Sequence, residues 1–162
     1  MINNGKRFEN NFRDSVPSYC WFYRLRDSAA SFYGGNEQLR FANKNIADNI
    51  VFNGKTLFIN ELKAHTGKSI PITCIRENQI KMMQEANLYK NIKCTLFVFF
   101  YSVGRCFSLD IENLVSFLEK TDRKSIPIAY FEEKAIEIPV IPKKVNYSYE
   151  LYDFFSNKKE EI

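Results

Sequence analysis

The dipeptide Asn53-Gly54 lies between two strand-like runs, Asn45 to Phe52 and Lys55 to Ala64, and constrains this chain more than any other feature. Asn-Gly supplies the positive-φ positions of a type I′ turn, whose twist matches that of its flanking strands. The expectation is a β-hairpin closed by two residues, with Phe52 facing Lys55 and paired residue numbers summing to 107. Asp48 then lies opposite Ile59 and, because side chains alternate along a strand, shares a face with Ile59, Glu61 and Lys63. Glu61 becomes its diagonal neighbour, about 7 to 8 Å away. Two carboxylates can close that gap onto one cation at Mg–O distances of about 2.0 to 2.1 Å. Lys63 is placed to hold or polarise a hydroxide, or to offset charge on a phosphate. On spacing alone, a surface charge pair with Asp48 as a turn residue is the commoner pattern. Ile50, Phe52, Leu57 and Ile59 on the same face are apolar, however, so the charged residues end a covered face, which points to a functional site.

The other elements follow from periodicity. Phe8, Phe12 and Val16 at intervals of four, stopped by Pro17, predict an amphipathic helix over residues 6–15, with Glu9 beside its buried stripe. Tyr19 to Arg26 is aromatic and strand-like, with Trp21, Phe22 and Tyr23 alternating in direction and mostly core, a base-stacking surface being the lesser reading. A loop containing Gly34-Gly35 follows. Thr73 to Asn87 reads as a helix capped by Thr73. Thr95 to Tyr101 and Arg105 to Leu109 form a second strand pair, and Asp110 caps a helix carrying Ile111, Leu114, Val115 and Leu118. A last helix spans Tyr147 to Phe155 after a Pro-containing connection. The pentapeptide Lys-Ser-Ile-Pro-Ile occurs at 68–72 and again at 124–128, but the flanks differ and neither copy precedes the same kind of element. A shared extended habit, with each Pro forcing Ile70 and Ile126 out of the helical region, explains it better than a duplication.

With 162 residues, 45% of them apolar, the chain can bury one good core and is short for two, so a single domain over 1–162 is expected. The apolar run Leu96 to Tyr101 is far below the roughly 20 residues of a membrane span, and the basic N-terminus has no apolar stretch behind it, so a cytoplasmic location is expected. Four isolated cysteines and one histidine, His65, make a zinc site a poor reading. Small buried thiols suit them better than nucleophiles. A lone histidine is more often a surface or hydrogen-bonded group than a ligand or base, so His65 is assigned no role. Residues 1–76 hold 11 Lys/Arg against 6 Asp/Glu, whereas 77–162 hold 12 against 13. Three of the six acids are Glu9, Asp48 and Glu61. Without them the first half is strongly basic, which suits a polyanion, although a solvated basic surface has the same composition.

Three segments in order resemble one family: Gly5-Lys-Arg-Phe-Glu9; Asp48 with Glu61-Leu-Lys63 thirteen residues on; and Gly67-Lys-Ser-Ile-Pro-Ile-Thr-Cys-Ile-Arg-Glu-Asn-Gln79. In order and spacing they resemble the RecU-type Holliday-junction resolvases of the PD-(D/E)XK nuclease superfamily. Phe107 to Leu114 and Arg123-Lys-Ser-Ile-Pro extend the likeness to about residue 140. The resemblance implies a restriction-endonuclease-like α/β fold, a mixed central sheet flanked by helices. It implies a symmetric dimer that uses Mg2+, or Mn2+, to nick paired strands of a four-way junction in recombination and repair. By position Asp48 and Glu61 match the metal carboxylates, Lys63 the catalytic lysine, Gln79 the glutamine of the next helix and Glu9 the acid of the first helix. Glu9 could instead pair with Arg13 four residues on. Arg26, Ser28, Arg40, Lys44, Lys68 and Arg76 are the candidate DNA contacts, although Arg76, like Gln79, could be the exposed face of a core helix. Two departures stand out: Ser31 to Asn45 replaces the family's long junction-engaging stalk, and Ala47 stands where a hydroxyl residue is usual. A phage or mobile-element nuclease without junction selectivity, and a catalytically silent DNA-binding module, are the alternatives.

Overall fold

The structure, a computed structural model, describes residues 3–26 and 45–156. The first helix, α1 (Asn4–Ser15), begins two residues earlier than the periodicity implies, because the Asn3 side chain accepts the Lys6 N–H at 3.1 Å. There follow β1 (Trp21–Arg24), β2 (Asn49–Phe52), β3 (Leu57–His65) and β4 (Ser69–Pro71), then a 3-10 turn at Ile72–Cys74 and α2 (Glu77–Asn87). Next come β5 (Ile92–Phe100), β6 (Arg105–Asp110), α3 (Ile111–Lys120), β7 (Ser125–Pro127) and α4 (Ile128–Lys134). The described chain ends with β8 (Ile136–Ile138), β9 (Val140–Pro142), β10 (Tyr147–Tyr149) and α5 (Tyr152–Phe155). Six strands form one sheet in the order β1-β2-β3-β5-β6-β8, with β3 and β5 parallel and the other pairs antiparallel. This is the expected mixed sheet flanked by helices.

Both faces of the sheet are covered at its centre, over β3, β5 and β6, and strand parity sorts the side chains between them. Even-numbered residues of β3, Phe58 and Leu62, join Phe8, Phe12, Phe97, Phe99 and Phe155 in an aromatic core under α1. Odd-numbered Ile59 joins Ile80, Met83, Leu96, Leu114 and Phe131 in a second core under α2, α3 and α4. Cys94 and Cys106 are buried as expected, while Cys20 is half-buried and Cys74 exposed. No helix among the described residues is long and apolar enough to cross a membrane.

Several elements depart from the sequence reading. The hairpin is closed by four residues, not two: Asn49 pairs with Asn60, Ile50 with Ile59 and Phe52 with Leu57, so paired numbers sum to 109. The cause is the Asn53 side chain. Its Oδ1 accepts the N–H groups of Lys55 (2.9 Å) and Thr56 (2.7 Å), and its Nδ2 donates to the Phe155 carbonyl at 2.6 Å. An Asn held this way makes an Asx-type turn, and Gly54 alone takes the left-handed conformation, at φ +93°. The helix expected from Thr73 starts only at Glu77, with Arg76 in the cap position and no side-chain cap. Ile72 is held by the Lys124 carbonyl and Ile75 is drawn, extended, into the core, so a helix cannot begin before them. Asp110 does precede α3, without a capping hydrogen bond from its side chain. Tyr147–Tyr149 is a strand and not part of a helix, because Tyr147 and Tyr149 both pack on Phe99, at 4.9 and 5.6 Å between ring centroids.

The two Lys-Ser-Ile-Pro-Ile segments pair with each other. Ile70 faces Ile126 at the centre of an antiparallel ribbon, flanked by Ser69–Pro127 and Pro71–Ser125. The Ile72 N–H donates to the Lys124 carbonyl and the Ile128 N–H to the Lys68 carbonyl. Each Pro therefore occupies a position where this ladder asks for no N–H. Both central isoleucines are buried. The repeat reflects one short ribbon built twice from the same extended habit, and it ties the start of α4 to the segment that leads into α2.

Candidate active site

The hairpin correction brings the acids closer. With numbers summing to 109, Asp48 falls level with Glu61 instead of diagonal to it. Regular pairing stops at Asn49, and Asp48 N–H donates to the Asn60 carbonyl at 3.1 Å, so Asp48 and Asn49 both address Asn60 in the manner of a β-bulge. The Asp48 carboxylate then accepts the Leu62 N–H at 2.7 Å, occupying the ladder position that the strand backbone has vacated. It lies where the regular β2–β3 pairing stops, lining a cleft with Glu9 and Arg24 and close enough to Glu61 for their charges to interact. The simple alternation argument therefore does not describe it.

Glu61 is the centre of the site. Only 1% of it is exposed, on the face covered by α2. Lys63, two residues along the same strand, places Nζ 2.6 Å from Oε1. Gln79, in the first turn of α2 and itself buried, donates from Nε2 to Oε2 at 3.0 Å. Burial first, and the neighbouring Asp48 second, push the Glu61 carboxyl up to about 7, against the opposing pull of Lys63 and Arg76. The family-derived group Asp48, Glu61, Lys63 and Gln79 is thus one constellation in space. Arg76 is exposed at the N-terminus of α2, close enough for its charge to favour ionised Glu61.

Glu9 sits elsewhere. Its carboxylate pairs with Arg24 at 2.9 Å, while Arg13 pairs with its neighbour Asp14. Glu9, Asn10, Arg13, Phe22, Arg24, Asp48, Asn49 and Leu62 line a cleft on the α1 side. Asp48 links this cleft to the Glu61 cluster. Arg24 was missed in the sequence, although its position opposite Asn49 follows once β1 is paired with β2. Beneath lies a buried amide pair, Asn60 Nδ2 donating to Asn49 Oδ1 at 3.0 Å, also unforeseen. Arg26 and Lys68 are exposed. Ser28, Arg40 and Lys44, and nearly all of the Ser31 to Asn45 segment, lie outside the described residues. Trp21 and Tyr23 are not core: they are 57% and 50% exposed, and only Phe22 turns inward.

Comparison with known proteins decides the family. Residues 38–152 match the model of Recombination protein U, well over half of the chain. The chain belongs to the RecU family. A prophage relative, the SPbeta prophage-derived uncharacterized protein YotM of Bacillus subtilis, is 32% identical over 92% of this chain and 83% of its own length. Among solved structures, Hjc, a Holliday junction resolvase of Archaeoglobus fulgidus, superposes with a TM-score of 0.54. That match covers 82% of this chain and 93% of Hjc at 10% identity, a likeness of fold. The RecU match spans Asp48, Glu61, Lys63 and Gln79, while Glu9 and Arg24 precede it.

The residues fit a divalent cation. Among the described residues no three His, Cys, Asp or Glu side chains cluster as a metal cage. Mg2+, however, typically takes one or two carboxylates and keeps several waters. Asp48 and Glu61 supply two, and the buried Gln79 Oε1 has no hydrogen-bond partner. Two crowded carboxyls, one held well above its ordinary range, are the arrangement a cation relieves.

Proposed function

We propose that this chain is a divalent-metal-dependent DNA endonuclease, acting on branched DNA in the manner of a Holliday-junction resolvase. The observation that carries the reading is the buried Glu61, held between Lys63 and Gln79 with Asp48 beside it. A carboxylate with no chemical task would be expected to stay solvated, whereas Glu61 is buried at a cost. In this reading Asp48 and Glu61 hold Mg2+ or Mn2+, which would supply charge neutralisation at the phosphate and acidify a bound water. Lys63 holds the attacking water or hydroxide and offsets phosphate charge, its ammonium fixed by Glu61. Gln79 orients the Glu61 carboxylate. Arg76, Lys68 and Arg26 are exposed where phosphates could meet them; Ser28, Arg40 and Lys44, outside the described residues, are proposed as contacts from the sequence alone. We place the protein in the cytoplasm as a single domain and a homodimer, since resolution needs two symmetric nicks.

The prophage relative favours a second reading, a nuclease of mobile-element origin that cuts flaps, ends or nicked duplex. A four-way junction, a flap and linear duplex, incubated side by side with Mg2+, separate the two. Paired nicks in the junction alone support resolution, and equal cutting of all three supports the second. No cutting of any substrate with Mg2+ or Mn2+ overturns the nuclease reading.

A further inference from the structure

The hairpin that carries Asp48 and Glu61 can pair in two ways without moving any side chain to the other face of the sheet. Pair sums of 107 and 109 differ by a shift of two residues, and only an odd shift exchanges the faces. The alternation of apolar residues is therefore blind to the choice. Asn53-Gly54 by itself favours 107, the two-residue turn. The site depends on 109, in which Asp48 is level with Glu61 and its carboxylate accepts the Leu62 N–H at 2.7 Å. At the turn, the hydrogen bonds of the Asn53 side chain favour 109. At the other end of the paired rungs, the last regular one sets Asn49 opposite Asn60, and here Asn60 Nδ2 donates to Asn49 Oδ1 at 3.0 Å.

This pair is out of place as packing. Asn60 is 0% and Asn49 2% exposed. Phe58 and Leu62 on either side of Asn60, and Val51 two residues from Asn49, belong to the aromatic core under α1. Asparagine is a poor strand former, and among the described residues Asn60 Oδ1 meets no donor. Two apolar side chains of the same shape would fill the place without that penalty. A buried polar group that gives up stability is best known for selecting one register. The alternative register is penalised here in a specific way. At sum 107, Asn49 faces Phe58 and Asn60 faces Ala47, which leaves each amide against a buried apolar partner. The backbone ties the same two residues to the site: the Asn60 carbonyl accepts the Asp48 N–H at 3.1 Å, Asn49 follows Asp48 in the chain, and Glu61 follows Asn60.

We propose that Asn49 and Asn60 are positioning residues, a register lock that holds Asp48 level with Glu61 and so assembles the acid pair. The inference deepens the nuclease reading and rests on it for the task given to the two acids.

The test replaces both amides by hydrocarbon of matching branching, Asn49→Leu together with Asn60→Leu. The smaller pair, Asn49→Val with Asn60→Val, serves if the leucines overfill the core. The metal-free double variant should unfold in urea at the wild-type midpoint or above it. Hydrogen exchange should nonetheless quicken about tenfold or more at the Leu62 and Asp48 amides, whose acceptors are the Asp48 carboxylate and the Asn60 carbonyl, and stay unchanged along β5. Mg2+ affinity by calorimetry should fall about 10- to 100-fold, the scale for groups that orient a metal's ligands. Single-turnover cleavage should slow about a hundredfold at unchanged DNA affinity, as for a small misplacement of reacting groups. Two outcomes overturn the lock. One is a stable double variant with wild-type exchange at Leu62 and wild-type Mg2+ affinity. The other is loss of the fold in both the leucine and the valine pair, which would leave the amides a role in the fold alone. A wild-type protein that cuts no DNA would sink the nuclease reading separately, while exchange at Leu62 in the metal-free protein still decides the lock.

Discussion

The two ends of the β2–β3 hairpin are built on opposite terms. At the turn end a single side chain, Asn53, makes three hydrogen bonds, two to the N–H groups of Lys55 and Thr56 and one to the Phe155 carbonyl. At the open end two carboxylates are brought level, one of them buried and pushed up to about 7. Eight residues of one strand pair thus run from a place where polar groups are satisfied to one where charge is crowded. The turn secures the register, and the register imposes the crowding. Stability is gained at the turn end and given up at the end where the proposed chemistry lies.

The largest expected effect breaks the comparison at the open end. Asp48→Asn and Glu61→Gln should each lower cleavage by about a thousandfold or more, on the scale of losing a group that stabilises transition-state charge. DNA binding should be kept or strengthened, because a negative charge leaves the phosphate path. Lys63→Ala should lose turnover while calorimetry still detects Mg2+. Full activity in either acid variant would remove the metal-site assignment, and loss of metal as the main defect of Lys63→Ala would remove the role given to that lysine.

Next in size is the pH dependence of metal-free stability. Glu61 has a folded-state pKa raised from 4.5 to about 7. The protonated form is therefore favoured by folding, its contribution is complete below about pH 4.5, and it is lost as pH rises through 7. Urea titrations should show stability falling across that window by an amount on the order of 3 kcal/mol at most, and Glu61→Gln should flatten the fall. Saturating Mg2+ should oppose it. A slope unchanged in Glu61→Gln would mean that another group titrates there.

The turn end should answer in stability alone. Asn53→Ala should cost about 1–2 kcal/mol, the scale of lost hydrogen bonds with a buried carbonyl left unmet, and leave the metal affinity of folded protein unchanged. Gly54→Ala, at φ +93° with open space around its Cβ position, should cost about 1 kcal/mol through backbone strain. If either variant shifted Mg2+ affinity tenfold, the two ends would be coupled more tightly than the comparison holds.

The smallest stability effect belongs to Glu9. Its partly exposed pair with Arg24 contributes a few tenths of a kcal/mol. Glu9→Ala should nonetheless reduce cleavage, since Glu9 and Asp48 line one cleft. Unaltered cleavage would leave Glu9 as an ion-pair partner only.

Much of the local structure was legible in the sequence. α1, the β5–β6 pair and α3 follow from apolar spacing, and Glu61 and Lys63 share a face because residues two apart on a strand must. The β2–β3 register was misread because Asn-Gly signals a two-residue turn, whereas Asn53 meets Phe155, 102 positions away, and closes a longer one. Trp21 and Tyr23 looked like core because aromatic alternation shows which residues share a face but not whether a helix covers it. The ordered segments from Gly5 to Glu9, from Asp48 to Lys63 and from Gly67 to Gln79 pointed to the family that the match over residues 38–152 shows.

What the sequence determined by itself is therefore set by backbone periodicity: element type, the shared face of neighbours on one strand, and the residue types available for chemistry. Only the tertiary structure decided what depends on segments far apart. It set Asp48 level with Glu61, laid Gln79 of α2 against Glu61 on β3, gave Glu9 to Arg24, and paired the two Lys-Ser-Ile-Pro-Ile segments across 56 positions. The physical reason is that a strand or helix carries its own geometry in φ and ψ, whereas register, coverage and charge crowding are properties of which elements meet, settled by the packing of the whole chain.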